Sequence, residues 1–157
     1  MNPLQRRTLG PLAGSTALLL GALAFQYLGG LAPCHLCLLQ RWPHAAAIAI
    51  ALLILAWPKR ALALLGALVV LVGAGIAVYH VGVEQAWWAG PSSCTAPAPG
   101  TQSSGELLDQ ILATPVVLCD QVAWSLWGIS MAGWNAVLSL VLAWLWLRAY
   151  ASSSASQ

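Results

Sequence analysis

Ten charged side chains in 157 residues leave four long apolar stretches with none, and those stretches dictate what the chain can become. No Asp, Glu, Lys or Arg falls between Arg7 and Arg41, between Arg41 and Lys59, between Arg60 and Glu84, or between Asp120 and Arg148, and these gaps hold 33, 17, 23 and 27 residues. A spanning helix needs about 20 apolar residues, so each gap admits one helix. Charged residues make up 6% of the chain, against roughly 25% in a soluble domain, too few to cover a water-facing globule. A hydrophobic content of 60% excludes intrinsic disorder, and a formal net charge of +2, thinly spread, excludes nucleic acid as a partner. The expected fold is an all-α membrane protein: a four-transmembrane-helix bundle forming one integral domain over residues 1–157.

The helices are expected at about 9–31, 34–57, 61–79 and 134–150, with a long outer loop over about 80–133. The second gap is short, so its helix is expected to begin near Pro33 or Cys34, carrying Arg41 into the membrane boundary. If four helices alternate, Arg6, Arg7, Lys59, Arg60 and Arg148 share one side, while Arg41, Glu84, Glu106, Asp109 and Asp120 share the other. That is the positive-inside pattern of a multi-pass membrane protein with both termini cytoplasmic. Trp42, Trp57, Trp134, Trp144 and Trp146 fall near helix ends, as interfacial aromatics do, with packing inside the bundle as the alternative for Trp144. The first apolar run also has the outline of a signal peptide, but it continues to Leu31 without a polar break, which favours an uncleaved anchor. In the outer segment, Pro91–Ser93 and Thr95–Gly105 read as loop. Glu106–Leu112 reads as a short amphipathic helix, lying on the membrane or covering the bundle end.

All four cysteines, Cys34, Cys37, Cys94 and Cys119, fall on the outer side, which in a bacterial inner membrane is the oxidising periplasm. Cys34-His35-Leu36-Cys37 is a C-x-x-C pair behind Pro33, a residue favoured at helix starts. A helix begun there sets both sulfurs on one face, near the backbone N–H groups that stabilise a thiolate. Arg41 and then His44 continue that face. Arg41 is the one basic residue outside and is expensive at the boundary without a task. It is placed to stabilise a Cys37 thiolate or to hold the anionic form of a reduced lipophilic acceptor. A snorkelling anchor is the plain alternative for Arg41, and packing or capping for His44. Haem attachment fails because His35 lies inside the pair and Leu38 follows it. A four-cysteine zinc site is disfavoured because Cys94 and Cys119 are 25 apart rather than a second knuckle. A C-x-x-C bridge closes too short a loop to be worth much as a staple. Cys94 and Cys119 stay open between two roles: a disulfide stapling the loop, or one exposed for exchange with another protein. His80 and Glu84, four apart before Trp87-Trp88, either line an acceptor pocket or mark where a helix leaves the membrane.

Three stretches resemble the disulfide bond formation protein B family, membrane quinone reductases that re-oxidise the periplasmic dithiol oxidase DsbA. They are Pro33-Cys-His-Leu-Cys-Leu-Leu-Gln-Arg41, Gly82 to Cys94 around Trp87-Trp88, and Leu118 to Asn135 around Trp124, Trp127 and Trp134. The resemblance covers about residues 8–150. It implies a relay in which the Cys94–Cys119 disulfide oxidises a DsbA-like partner, with Cys94 in the mixed disulfide. Electrons then pass to Cys34 and Cys37, and on to ubiquinone or menaquinone. Cys37 matches the cysteine that engages the quinone and Arg41 the family's quinone-associated arginine. His80 sits one position off the histidine that some members carry near the quinone. Because DsbA is strongly oxidising, at about −120 mV, its re-oxidation needs an acceptor such as a membrane quinone. A protein resembling vitamin K epoxide reductase is disfavoured, because there the C-x-x-C follows the loop cysteines. A membrane scaffold with two structural disulfides is the non-enzymatic rival.

Overall fold

The computed structural model describes residues 1–91 and 117–152. Cys94 and the expected helix over Glu106–Leu112 lie outside the described residues. The chain is mostly helical, and among the described residues four stretches are long and apolar enough to cross a membrane: Pro3–Tyr27, His35–Ala56, Arg60–Glu84 and Met131–Ala151. The fold is a four-span all-α membrane bundle.

The first helix, α1 (Pro3–Tyr27), begins and ends earlier than the apolar run suggests. Its start is fixed by Pro3 in the first turn and a capping box: the Gln5 N–H donates to Asn2 Oδ1, and the Asn2 N–H donates to Gln5 Oε1, both at 2.9 Å. It stops before Gly29-Gly30, where Gly30 takes φ +67°, a conformation glycine adopts without steric cost. The chain then runs without regular structure to Cys34.

The second span is two helices, α2 (His35–Leu39) and α3 (Arg41–Ala56), separated at Gln40. Pro43 is the cause. It has no N–H for the Leu39 carbonyl and its ring crowds that group, so the i to i−4 ladder cannot cross this point. α4 (Arg60–Glu84) continues five residues past the expected end, carrying His80 and Glu84 on its last turns. The chain reverses at Ala86 (φ +55°), and Trp88 folds back along the helix, stacked on Tyr79 with its indole N–H donating to the Tyr79 carbonyl at 3.0 Å. Gly82 makes this possible, since a Cβ there would strike the Trp88 ring.

Before the last helix lies a feature the period-based reading omits: a two-stranded hairpin, β1 (Ser125–Leu126) and β2 (Ile129–Ser130). Trp127 and Gly128 form its turn at φ +53° and +78°, the double positive φ that two-residue hairpins require. The final helix, α5 (Met131–Ser152), follows directly.

Around the bundle the neighbours run α1, α3, α4, α5 and back to α1. The core near the basic end is built from small residues and one large one: Ala47, Ala51, Ala63, Ala67 and Ala149 surround Trp146. This corrects the sequence expectation for the tryptophans. Trp146 is 0% exposed, whereas Trp144 is 54% exposed with the Arg148 guanidinium 4.7 Å from its ring centre. Trp146 lies flat over Gly66, where a Cβ would come within 2.7 Å of the indole, so a missing side chain on α4 makes the seat for the ring on α5. Close approach over small residues is how helices gain packing energy when lipid supplies no hydrophobic drive. At the same end Arg7 donates to the Arg148 carbonyl at 3.2 Å and Arg60 lies 4.0 Å above the Tyr150 ring.

Candidate active site

The opposite end of the bundle holds a cavity of about 330 Å³. Its walls are apolar side chains of α1 and α5, including Leu18, Ala22, Phe25 and Leu138. Six of the side chains singled out in the sequence line it together: Cys34, Cys37, Arg41, His44, His80 and Glu84. Helical phase brings them there. Cys37, Arg41 and His44 repeat at four and three residues along α2 and α3, and His80 and Glu84 are four apart on α4.

Cys34 is the N-cap of α2. Its backbone is extended (φ −72°, ψ 172°) and its sulfur accepts from the Cys37 N–H at 3.2 Å. Both thiols are free, and the Cys34 thiol donates to Cys37 Sγ at 2.9 Å. That donated hydrogen bond, and then burial, hold the Cys34 thiol well above the ordinary cysteine value of 9.0. Cys34 therefore keeps its proton at neutral pH and steadies negative charge on its neighbour. Cys119 is disulfide-bonded and 1% exposed, packed with Cys34, Leu36 and Val83.

Beside the cysteines a buried chain of polar groups joins His44 to His80 through Asn135 and Gln40, with Ser139 attached, three residues that sequence reasoning missed. Asn135 Nδ2 donates to Gln40 Oε1 at 2.6 Å, and Asn135 Oδ1 accepts from His44 Nε2 at 2.9 Å and from the Ser139 hydroxyl at 3.5 Å. With its oxygen occupied, Gln40 turns its amide nitrogen to His80 Nδ1 at 2.8 Å. A ring nitrogen that accepts carries no proton, so the neutral His80 proton sits on Nε2. That N–H reaches the Cys119 carbonyl at 3.2 Å and lies 3.6 Å from Cys34 Sγ. Two uncharged amides thus decide which face of His80 meets the sulfurs. A signal for them existed. Asn135 and Ser139 are four apart in an otherwise apolar span, which in a membrane marks an inward polar face.

Three buried polar atoms on the cavity wall have no hydrogen-bond partner among the described residues: Arg41 Nε, His44 Nδ1 and Glu84 Oε2. Arg41 is held by one bond, Nη1 to Gln26 Oε1 at 2.6 Å, which leaves its Nε–H without an acceptor. A lipophilic ring bearing carbonyl oxygens fits this lining: an acceptor for Arg41 Nε–H, apolar walls for the ring and tail, and Cys37 alongside.

A thiol pair capping a helix beside an apolar, arginine-bearing cavity at one end of a four-span bundle defines a membrane thiol oxidoreductase. The family model "Disulfide bond formation protein DsbB" matches residues 6–149. A curated relative, disulfide bond formation protein B of Methylococcus capsulatus, is 36% identical over 140 residues, covering 80% of this chain and 81% of its own. The chain belongs to the DsbB family of disulfide-generating membrane oxidoreductases. No solved structure matches it.

Proposed function

We propose that this protein re-oxidises a periplasmic DsbA-like dithiol oxidase and delivers the electrons through its two cysteine pairs to ubiquinone or menaquinone in a bacterial inner membrane. In this reading the thiol end of the bundle faces the periplasm, and the basic end and both termini face the cytoplasm. The observation that carries it is the convergence of Cys37, the unpaired Arg41 Nε–H and the unpaired His44 Nδ1 on one apolar cavity.

The quinone, when bound, supplies a two-electron, two-proton acceptor; every other role falls to the chain. The partner's thiolate attacks Cys94 and displaces Cys119 as a thiolate. Cys119 attacks Cys34 of the oxidised C-x-x-C and displaces Cys37 as a thiolate beside Arg41. The burial of Cys119 with Cys34, and the position of His80 Nε2–H against both residues, support this hand-over. Resolution by the partner's second thiol and then by Cys94 restores the Cys94–Cys119 bridge and leaves Cys34 and Cys37 reduced. The net change is a partner dithiol and a quinone converted to a partner disulfide and a quinol. Arg41 holds the acceptor's oxygen, His44 faces it across the cavity, and His80 and Glu84 lie on the thiol side.

The test mixes purified protein, reduced DsbA-like partner and a soluble ubiquinone analogue. Loss of quinone absorbance that needs both proteins supports the relay, and folded protein that consumes no quinone sinks it. Trapping with a single-cysteine form of the partner should link it to Cys94; a link to Cys34 would reverse the proposed order.

A further inference from the structure

The four side chains crowding the thiol end of the cavity make more than a redox pair. Cys34 Sγ, Cys37 Sγ and a ring nitrogen of His80 all lie within 4.8 Å of one another. Glu84 stands beside them, its Oε1 4.0 Å from His80 Nε2 and its side chain 5% exposed. Its other oxygen, Oε2, is buried with no partner among the described residues. An unpaired carboxylate oxygen in such a place is costly, and this one belongs to the same cavity lining as two thiols and an imidazole. We propose that the protein, when its Cys34–Cys37 pair is reduced, binds one divalent cation of the zinc class through Cys34, Cys37, His80 and Glu84.

The spacing of the two sulfurs and the imidazole suits a tetrahedral ion, with Glu84 turning in as the fourth ligand. Metal–sulfur and metal–nitrogen bonds of about 2.3 and 2.05 Å set S···N at about 3.6 Å and S···S at about 3.8 Å. Cys34 Sγ to His80 Nε2 is already 3.6 Å. The sulfurs, at 2.9 Å, must part by about 1 Å, within reach of a rotation of one cysteine side chain. The expectation against zinc concerned a site of four cysteines; this one uses His80 and Glu84 in place of Cys94 and Cys119. Binding exchanges two thiol protons for the cation, the protons leave to solvent, and no electron moves. The disulfide form has no thiolates to offer, so the site exists only in the reduced state. Two thiolates and a carboxylate leave the complex with one net negative charge, near the Arg41 guanidinium on the same cavity wall. Ligation through Nε2 puts the His80 proton on Nδ1, and the amide chain turns as a unit: Gln40 Oε1 receives that proton, the Gln40 amide nitrogen donates to Asn135 Oδ1, and Asn135 Nδ2 donates to a His44 that has moved its proton to Nδ1, giving the outer support that a ligating imidazole needs.

The test uses the full chain carrying Cys94→Ser and Cys119→Ser in detergent micelles, titrated with Cd²⁺. The reduced protein should bind one equivalent with an ultraviolet thiolate-to-cadmium band that Zn²⁺ displaces, and the protein oxidised at Cys34–Cys37 should show no band. Gln40→Leu should weaken binding by roughly 10–100-fold, and Glu84→Gln and His80→Ala by more than that. Helix content by circular dichroism verifies folding, and if His80→Ala fails to fold, Glu84→Gln decides. Equal binding by the oxidised form, or unchanged affinity in folded Glu84→Gln protein, overturns the site. None of these readouts needs turnover, so they stand or fall apart from the quinone reading.

Discussion

Replacing Asn135 by leucine exchanges side chains of similar size and removes three hydrogen bonds, to Gln40 at 2.6 Å, from His44 at 2.9 Å and from Ser139 at 3.5 Å. Each buried polar group left unpaired costs about 1–3 kcal/mol on the soluble-protein scale. Interhelical bonds measured in a membrane protein average about 0.6 and reach about 1.7 kcal/mol. The lower scale governs, because the freed Gln40 amide can turn to other partners, and the bundle should lose about 1–3 kcal/mol in all. The chemical effect is more telling than the loss of stability. A hydrogen bond worth about 1.4 kcal/mol biases a tautomer about tenfold, so the chain keeps His80 roughly nine-tenths in the Nε2–H form. Without Asn135, Gln40 offers His80 Nδ1 either end of its amide, so only the Cys119 carbonyl at 3.2 Å still favours the Nε2–H form and the bias should weaken measurably. Ring ¹⁵N shifts of selectively labelled His80 read that ratio directly, with quinone-dependent turnover measured alongside and expected to fall a few-fold. A His80 tautomer ratio unchanged in Asn135→Leu, with turnover within about twofold of the parent, refutes the claim that the amides bias its tautomer.

Other outcomes follow from single contacts. Arg41→Met removes a charged donor worth about 1.5–3 kcal/mol, so the quinone Michaelis constant should rise about tenfold or more; an unchanged constant removes Arg41 from the acceptor site. Gly66→Ala drives a methyl group into the Trp146 ring and should cost about 1–3 kcal/mol in detergent-unfolding titrations, while an unaltered midpoint means the ring is not seated there. The Cys34 thiol is raised in the fold, so the unfolded chain releases its proton first as pH climbs. Stability of the reduced protein should decline above the ordinary cysteine value of 9.0 by about 1.4 kcal/mol per pH unit. Cys34→Ser should flatten that decline, and an equally steep fall in the serine variant would assign it to another group.

The four spans and the thiol-bearing end could be read from where charges are missing, because lipid forbids them over a length fixed by bilayer thickness. C-x-x-C-x-x-x-Arg was legible for the same reason helical stripes generally are: a fixed local period puts those groups on one face whatever the neighbours do. Features set by what lies opposite were not legible. Trp144 and Trp146 are two apart on one helix, and only the gap left by Gly66 decides which of them is buried. Gln40 and Asn135 carry no charge, and although both lie in stretches that resemble the family, nothing marks them as a pair until Asn135 on α5 meets Gln40 between α2 and α3. His80 looked misplaced by one position in the linear comparison, yet α4 runs on far enough to bring its ring to Cys34. The kink at Gln40 was missed although its cause, Pro43, stood in the sequence.

α1 is buried through Leu4, Thr8, Pro11 and Ser15, all in its N-terminal half. Beyond that point it serves mainly as cavity wall, from Ala17 to Phe25. α1 is therefore anchored at one end only: held where it meets the small-residue core and lightly held along its cavity edge. Among the described residues the polar and ring contacts there are one hydrogen bond from Arg41 to Gln26 and one ring contact between Phe25 and Trp124. The contacts that close the cavity edge are thus separate from the Trp146 core, so losing them would leave the half of the bundle that keeps the chain folded intact.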